Sequence, residues 1–137
     1  MEYNFNKEYY KGVVYLLLNK KDKTYYIGKT DNIELRIITH IKSGILTNNY
    51  KIFILEHNIN ITDLEYIWLN FSKYTINRYY KCLNKSFNTG NRFKVCGKTG
   101  KIHLQHIKTS NYYKFCKEGI IEDTTGLIDE EIILLKP

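Results

Sequence analysis

TYYIGKTDNIELRIITHIKSG, residues 24–44, changes its hydrophobic period halfway along. Residues 24–28 alternate, as a half-buried strand does, with Tyr26 on one side and Tyr25 on the other. From Asp31 the spacing becomes helical. Ile33, Ile37, Ile38 and Ile41 predict an apolar stripe, Asp31 an N-cap with Glu34 three residues on, and Gly44 the stop. Arg36 and His40 stand one turn apart on that helix, on a common face. A strand running into a helix accounts for the isoleucines. It leaves Tyr26, Arg36 and His40 to be explained.

Working outward, GVVYLLL at 12–18 reads as a buried strand, and NKKDK as the turn of a hairpin joining it to TYYIG. YKIFILE at 50–56 predicts a third strand. TDLEYIWLNFSK at 62–73 predicts a second helix, with Leu64, Ile67, Trp68 and Phe71 facing inward. Residues 75–83 predict a further helix. The order β-β-α-β-α-α is an α+β pattern, a small three-stranded antiparallel sheet flanked by helices. Beyond Phe87 the pattern is less regular. RFKVC and KIHLQHI suggest a hairpin, SNYYKFCKEG a short helix and EEIILL a final strand. The expected organisation is a core at 1–86 and a C-terminal elaboration at 87–137 packed on it, available for contacting DNA or dimerising.

The net charge of +7 favours a polyanionic partner, most simply nucleic acid, although the abundant Lys, Asn, Ile and Tyr also fit an AT-rich coding bias. Of 21 basic residues only three are arginines, Arg36, Arg78 and Arg92, so lysine is the background cation and an arginine stands out. Its planar fork suits phosphate. The apolar runs VVYLLL and IILL are too short to span a bilayer, and MEYNFNKEYY lacks a signal-peptide core, so an intracellular protein without membrane contact is expected. The cysteines Cys82, Cys96 and Cys116 then read as buried thiols rather than disulfides.

The polar residues form an ordered set: Tyr15 at the end of VVY, Tyr26 at the start of YIG, Arg36 and His40 on the first helix, Glu65 three before Trp68 on the second, and Asn84 in KCLNKSF. Across roughly residues 11–86 this resembles the GIY-YIG nuclease family, with Val13 where that motif begins with glycine. Asn88 and Asn91 are rivals to Asn84. The resemblance implies metal-dependent hydrolysis of phosphodiester bonds in DNA. Glu65 would hold one Mg²⁺ or Mn²⁺, an ion often held by one or two carboxylates. Arg36 would bind the scissile phosphate, with Lys29 and Asn84 as further substrate contacts. The resemblance favours Tyr15 as general base with His40 taking its proton, and Tyr26 as the residue positioning water or phosphate; the two tyrosines can also exchange roles.

Taken singly, these residues have ordinary readings. A tyrosine among 13 is usually structural, and Glu65 can complete a capping box with Thr62. The ordered set is what outweighs those readings. GKT at 28–30 and 97–99 fails as a phosphate loop, because Lys23 and Arg92 stand where its first glycine is required. Cys96, His103, His106 and Cys116 do not have a standard zinc-finger spacing. The basic run RFKVCGKTGKIHLQHIK reads equally as a DNA-tracking surface or a solvated hairpin. Alternatives to duplex DNA cleavage are action on branched DNA or RNA, and nucleic-acid binding without cleavage. One site cuts one strand at a time, so a duplex break calls for a homodimer or two encounters.

Overall fold

Every residue of the strand Val13–Asn19 (β1) is buried, the pattern of a central strand covered on both faces. This is why VVYLLL reads as a continuous apolar run. β1 pairs antiparallel with Thr24–Thr30 (β2) on one side and Tyr50–His57 (β3) on the other. The computed structural model describes residues 12–47, 49–57, 61–86 and 109–137. Its remaining elements are the helices Ile33–Ser43 (α1), Ile61–Ser72 (α2), Asn111–Glu118 (α3) and Asp129–Ile132 (α4), a short strand Lys81–Cys82 (β4), and 3-10 turns at Ile76–Arg78, Asp123–Thr125 and Ile133–Leu135.

Side-chain alternation divides the sheet into two faces. Val14, Leu16 and Leu18 of β1, with Tyr25 and Ile27 of β2, pack against Leu64, Ile67, Trp68 and Leu69 of α2. Phe115, Ile121 and Leu135 join that same core, so the C-terminal elements pack on the sheet. The opposite face carries Val13, Tyr15 and Leu17, covered by Ile33 and Ile37 of α1. Tyr25, which alternation assigns away from Tyr26, is buried in the α2 core with its hydroxyl 2.8 Å from Ser72 Oγ.

The α+β class holds, with one strand more than expected. The sheet order is β3-β1-β2-β4, and β4 runs parallel to β2. Residues 75–83 do not form a helix. After the turn at Ile76–Arg78, Lys81 N–H donates to Lys23 O at 2.7 Å and Leu83 N–H to Tyr25 O at 2.8 Å, which draws the chain onto the open edge of β2. EEIILL is not a strand either. Its buried residues are Glu131 and Leu135, four apart, the spacing of a helical turn rather than of alternation. Glu131 lies 3.5 Å from Lys20 Nζ, tying this end to the hairpin turn.

Two details of α1 also differ. Its cap is Asn32, whose side chain accepts from Leu35 N–H, rather than Asp31; Gly44 is the left-handed C-cap, as expected. α1 meets the sheet along Ile33, Ile37 and His40, so Ile38 and Ile41 stand about 100° off that line and are half exposed. The expected hairpin at RFKVC and KIHLQHI, the basic run, and Cys96, His103 and His106 lie outside the described residues; Cys116, expected to be a buried thiol, is exposed on α3, and Cys82 is partly buried.

Candidate active site

The face of the sheet under α1 brings Tyr15, Tyr26 and His40 together. Tyr15 and Tyr26 point the same way from neighbouring strands, and His40 comes down from the last turn of α1. Tyr15 Oη lies 2.6 Å from His40 Nε2 in a buried hydrogen bond. The Tyr26 ring stands edge-on to the imidazole at 4.9 Å between centroids, and 6.2 Å from the Tyr15 ring. Tyr15 is fully buried, whereas Tyr26 is half-buried.

Gly28 makes this arrangement fit. It is the strand partner of Tyr15. A Cβ there would lie 2.6 Å from Tyr15 Cζ and 2.9 Å from Tyr26 Cε1 and would also strike the Tyr15 hydroxyl. The two phenol rings therefore occupy the space of a side chain that glycine lacks. The motif's glycine serves close approach of rings to backbone, a role that alternation alone does not reveal.

Glu65 reaches the cluster from α2. Its carboxylate comes under the influence of Lys29, on the outer edge of β2, whose ammonium and backbone N–H both favour its ionised form. The Lys29 ammonium donates to Thr62 Oγ1 at 2.9 Å and also acts on Glu65. Thr62 lies inside α2, which begins at Ile61, so the capping-box reading of Glu65 does not apply. One step along the same edge, Asn84 Oδ1 accepts from Ile27 N–H at 3.0 Å and its Nδ2 donates to Ile27 O at 2.7 Å. Asn84 was expected to contact substrate. Its amide is spliced into the edge of β2, where it takes the place of a pairing strand. Leu83 backbone and Asn84 side chain thus satisfy successive groups of one strand edge, and Glu65 acts on the next residue along it, Lys29.

Electrostatics links these residues through Arg36, exposed on α1. Burial pushes the Tyr15 phenol well above its ordinary range, Tyr26 and Glu65 push the same way, and Arg36 pulls back. Burial raises Tyr26 as well, against the pull of Arg36. Burial lowers His40, and Arg36 lowers it further, so the imidazole is neutral at neutral pH. Burial raises the Glu65 carboxyl, and Lys29 and Arg36 offset part of that rise. One guanidinium therefore acts on two phenols, an imidazole and a carboxylate.

Among the described residues no three His, Cys, Asp or Glu side chains gather closely enough to enclose a metal ion. A half-buried single carboxylate within the electrostatic reach of Arg36 fits a hydrated Mg²⁺-type ion, an ion often held by one or two carboxylates with waters completing its shell. No helix among the described residues is long and apolar enough to cross a membrane.

The model of the GIY-YIG catalytic domain matches residues 11–79, just over half of the chain. The chain belongs to the GIY-YIG family, a family of nuclease domains. Comparison with curated proteins and with solved structures returns no match.

Proposed function

We propose that this chain is a metal-dependent endonuclease that hydrolyses phosphodiester bonds in DNA. The observation that carries the reading is the convergence of Tyr15, Tyr26, His40 and Glu65 within the electrostatic reach of Arg36.

Arg36 binds the scissile phosphate and offsets the charge that builds on it during attack. Tyr15 takes a proton from the attacking water while passing its own to His40 Nε2, in the tautomer that carries hydrogen on Nδ1. Because burial disfavours both a resting phenolate and a resting imidazolium, the two transfers occur together. Glu65 would hold the divalent ion, Mg²⁺ or Mn²⁺, which would supply Lewis-acid stabilisation of the leaving oxygen. Lys29 keeps the Glu65 carboxylate in place from the strand edge and adds positive charge beside the substrate. Asn84 acts on the reaction by bracing β2.

The difference in exposure between the phenols favours a second assignment of the base. Tyr26 is half-buried and Tyr15 fully covered, so Tyr26 has the readier access to water, with His40 beside it. The test for the base is Tyr15→Phe against Tyr26→Phe in single-turnover cleavage. The larger loss at Tyr15 supports the relay through His40, and the larger loss at Tyr26 transfers the role.

The substrate is tested with labelled linear duplex, forked and four-way DNA and single-stranded RNA, each with Mg²⁺ or Mn²⁺. Cleavage of DNA is expected. Faster cleavage of branched forms would make the enzyme structure-selective, and cleavage of RNA alone would overturn the DNA assignment. Binding without cleavage under any metal would leave a nucleic-acid-binding module.

A further inference from the structure

Glu56 is a fully buried carboxylate that the catalytic scheme does not use. The pairing of β1 with β3 slips between Val14 and Tyr15: Val14 stands opposite Glu56 and Tyr15 opposite Ile54, leaving Leu55 as an extra residue. Simple alternation would send Leu55 and Glu56 to opposite faces. The bulge turns Glu56 onto the α2 side, away from Tyr15. There its carboxylate accepts from Trp68 Nε1 at 2.8 Å, Asn111 N–H at 2.7 Å and Tyr112 N–H at 2.8 Å. The carbonyl of Leu55, the extra residue itself, accepts from Asn111 Nδ2 at 2.7 Å.

Each partner belongs to a different part of the molecule. Trp68 is one turn beyond Glu65 on α2. Asn111 and Tyr112 open α3, whose N–H groups suit a carboxylate. The bulge adjoins Tyr15. We propose that Glu56 and Asn111 are positioning residues. Through them the docking of α3 fixes both the strand that carries Tyr15 and the helix that carries Glu65. The C-terminal segment then belongs to the active site's framework. Burial raises the Glu56 carboxyl, and its three hydrogen bonds oppose that rise, as a clamp built on the ionised form requires.

The test uses the full chain with Asn111→Ala, which removes the bond to Leu55 O and retains the backbone N–H bond to Glu56. Asn111→Ser provides a milder version should the alanine variant fail to fold. Two readouts are taken at a temperature where circular dichroism shows the variant folded. The first is the NMR titration of the assigned His40 ring, which senses the Tyr15 contact and needs no activity. The second is single-turnover cleavage, which rests on the nuclease reading above. The expected result is a shift of the His40 titration toward the ordinary histidine range and about a tenfold lower cleavage rate, with the KM for DNA unchanged. Glu56→Gln, which retains one acceptor oxygen, should lose less rate than Glu56→Ala. An unaltered His40 titration in a folded variant overturns the positioning role. If the wild type cuts nothing, the nuclease reading fails, while the His40 titration still decides this one.

Discussion

Tyr15 and Gly28 are strand partners, and the phenol of Tyr15 lies over the bare backbone of Gly28. A methyl group at that position has no space unless both rings move. Gly28→Ala should therefore cost about 1–3 kcal/mol of stability, typical of overpacking, and should reduce cleavage far more than the fold is disturbed. Thermal melts and single-turnover rates on the same preparation check this. Unchanged activity in Gly28→Ala would show that the Tyr15–His40 contact is not needed for catalysis.

Arg36 is exposed, so its removal should leave the fold nearly intact. Arg36→Ala should lower the cleavage rate by roughly two to three orders of magnitude, about 3–4 kcal/mol of barrier. Arg36→Lys should recover only part of this, since an ammonium cannot form the bidentate fork. Full recovery by lysine would reduce the role of Arg36 to that of a point charge.

The pH dependence follows from two groups. Burial raises Glu65, so acidification protonates it more readily than an ordinary glutamate and removes a metal ligand. Burial lowers His40, which stays neutral and able to accept a proton until the pH falls below the ordinary histidine range. Cleavage should therefore rise with pH across the acidic range, and more metal should be needed as the pH falls. The stability signs are opposite for the two groups. With its folded value raised, Glu65 favours folding most when protonated, and that contribution is lost as pH rises through the raised value. With its folded value lowered, His40 contributes stability above the ordinary histidine range, and this is lost as pH falls toward the folded value. Glu65→Gln should accordingly melt higher than wild type at neutral pH while being inactive. A lower melting temperature would contradict the sign.

Asn84 bonds both backbone groups of Ile27. Asn84→Ala leaves that edge unpaired and should cost about 1–3 kcal/mol of stability. The KM for DNA should stay within about twofold, because both polar atoms of the amide are bonded to Ile27. A large rise in KM with no loss of stability would restore the substrate-contact role expected from its place in KCLNKSF.

The elements that position the site were legible because each has one dominant period. VVYLLL is apolar throughout since β1 is covered on both faces, and TYYIG alternates since Tyr25 and Tyr26 serve different faces. Tyr15, Tyr26, His40 and Glu65 were identifiable as an ordered set, while their nearness in space depends on the hairpin register for the two tyrosines and on the seating of α1 and α2 for His40 and Glu65. The errors have equally local causes. Asp31 and Asn32 are both good caps, and only the backbone at Asn32 selects between them. Ile38 and Ile41 extend a helical stripe that α1 does not bury. β4 has two residues, too few for a periodic signal, and exists because Lys81 and Leu83 find an open strand edge. Glu56 was invisible as a clamp because its orientation depends on a bulge, and nothing in YKIFILE announces one.

The central claim is that this cluster cuts nucleic acid through Glu65. Supercoiled plasmid incubated with Mg²⁺ or Mn²⁺ and either wild type or Glu65→Ala, purified side by side, tests it most directly. The expected result is metal-dependent nicking by wild type that EDTA abolishes, and no nicking by Glu65→Ala. Equal nicking by both proteins, or none by wild type with either metal, would contradict the account.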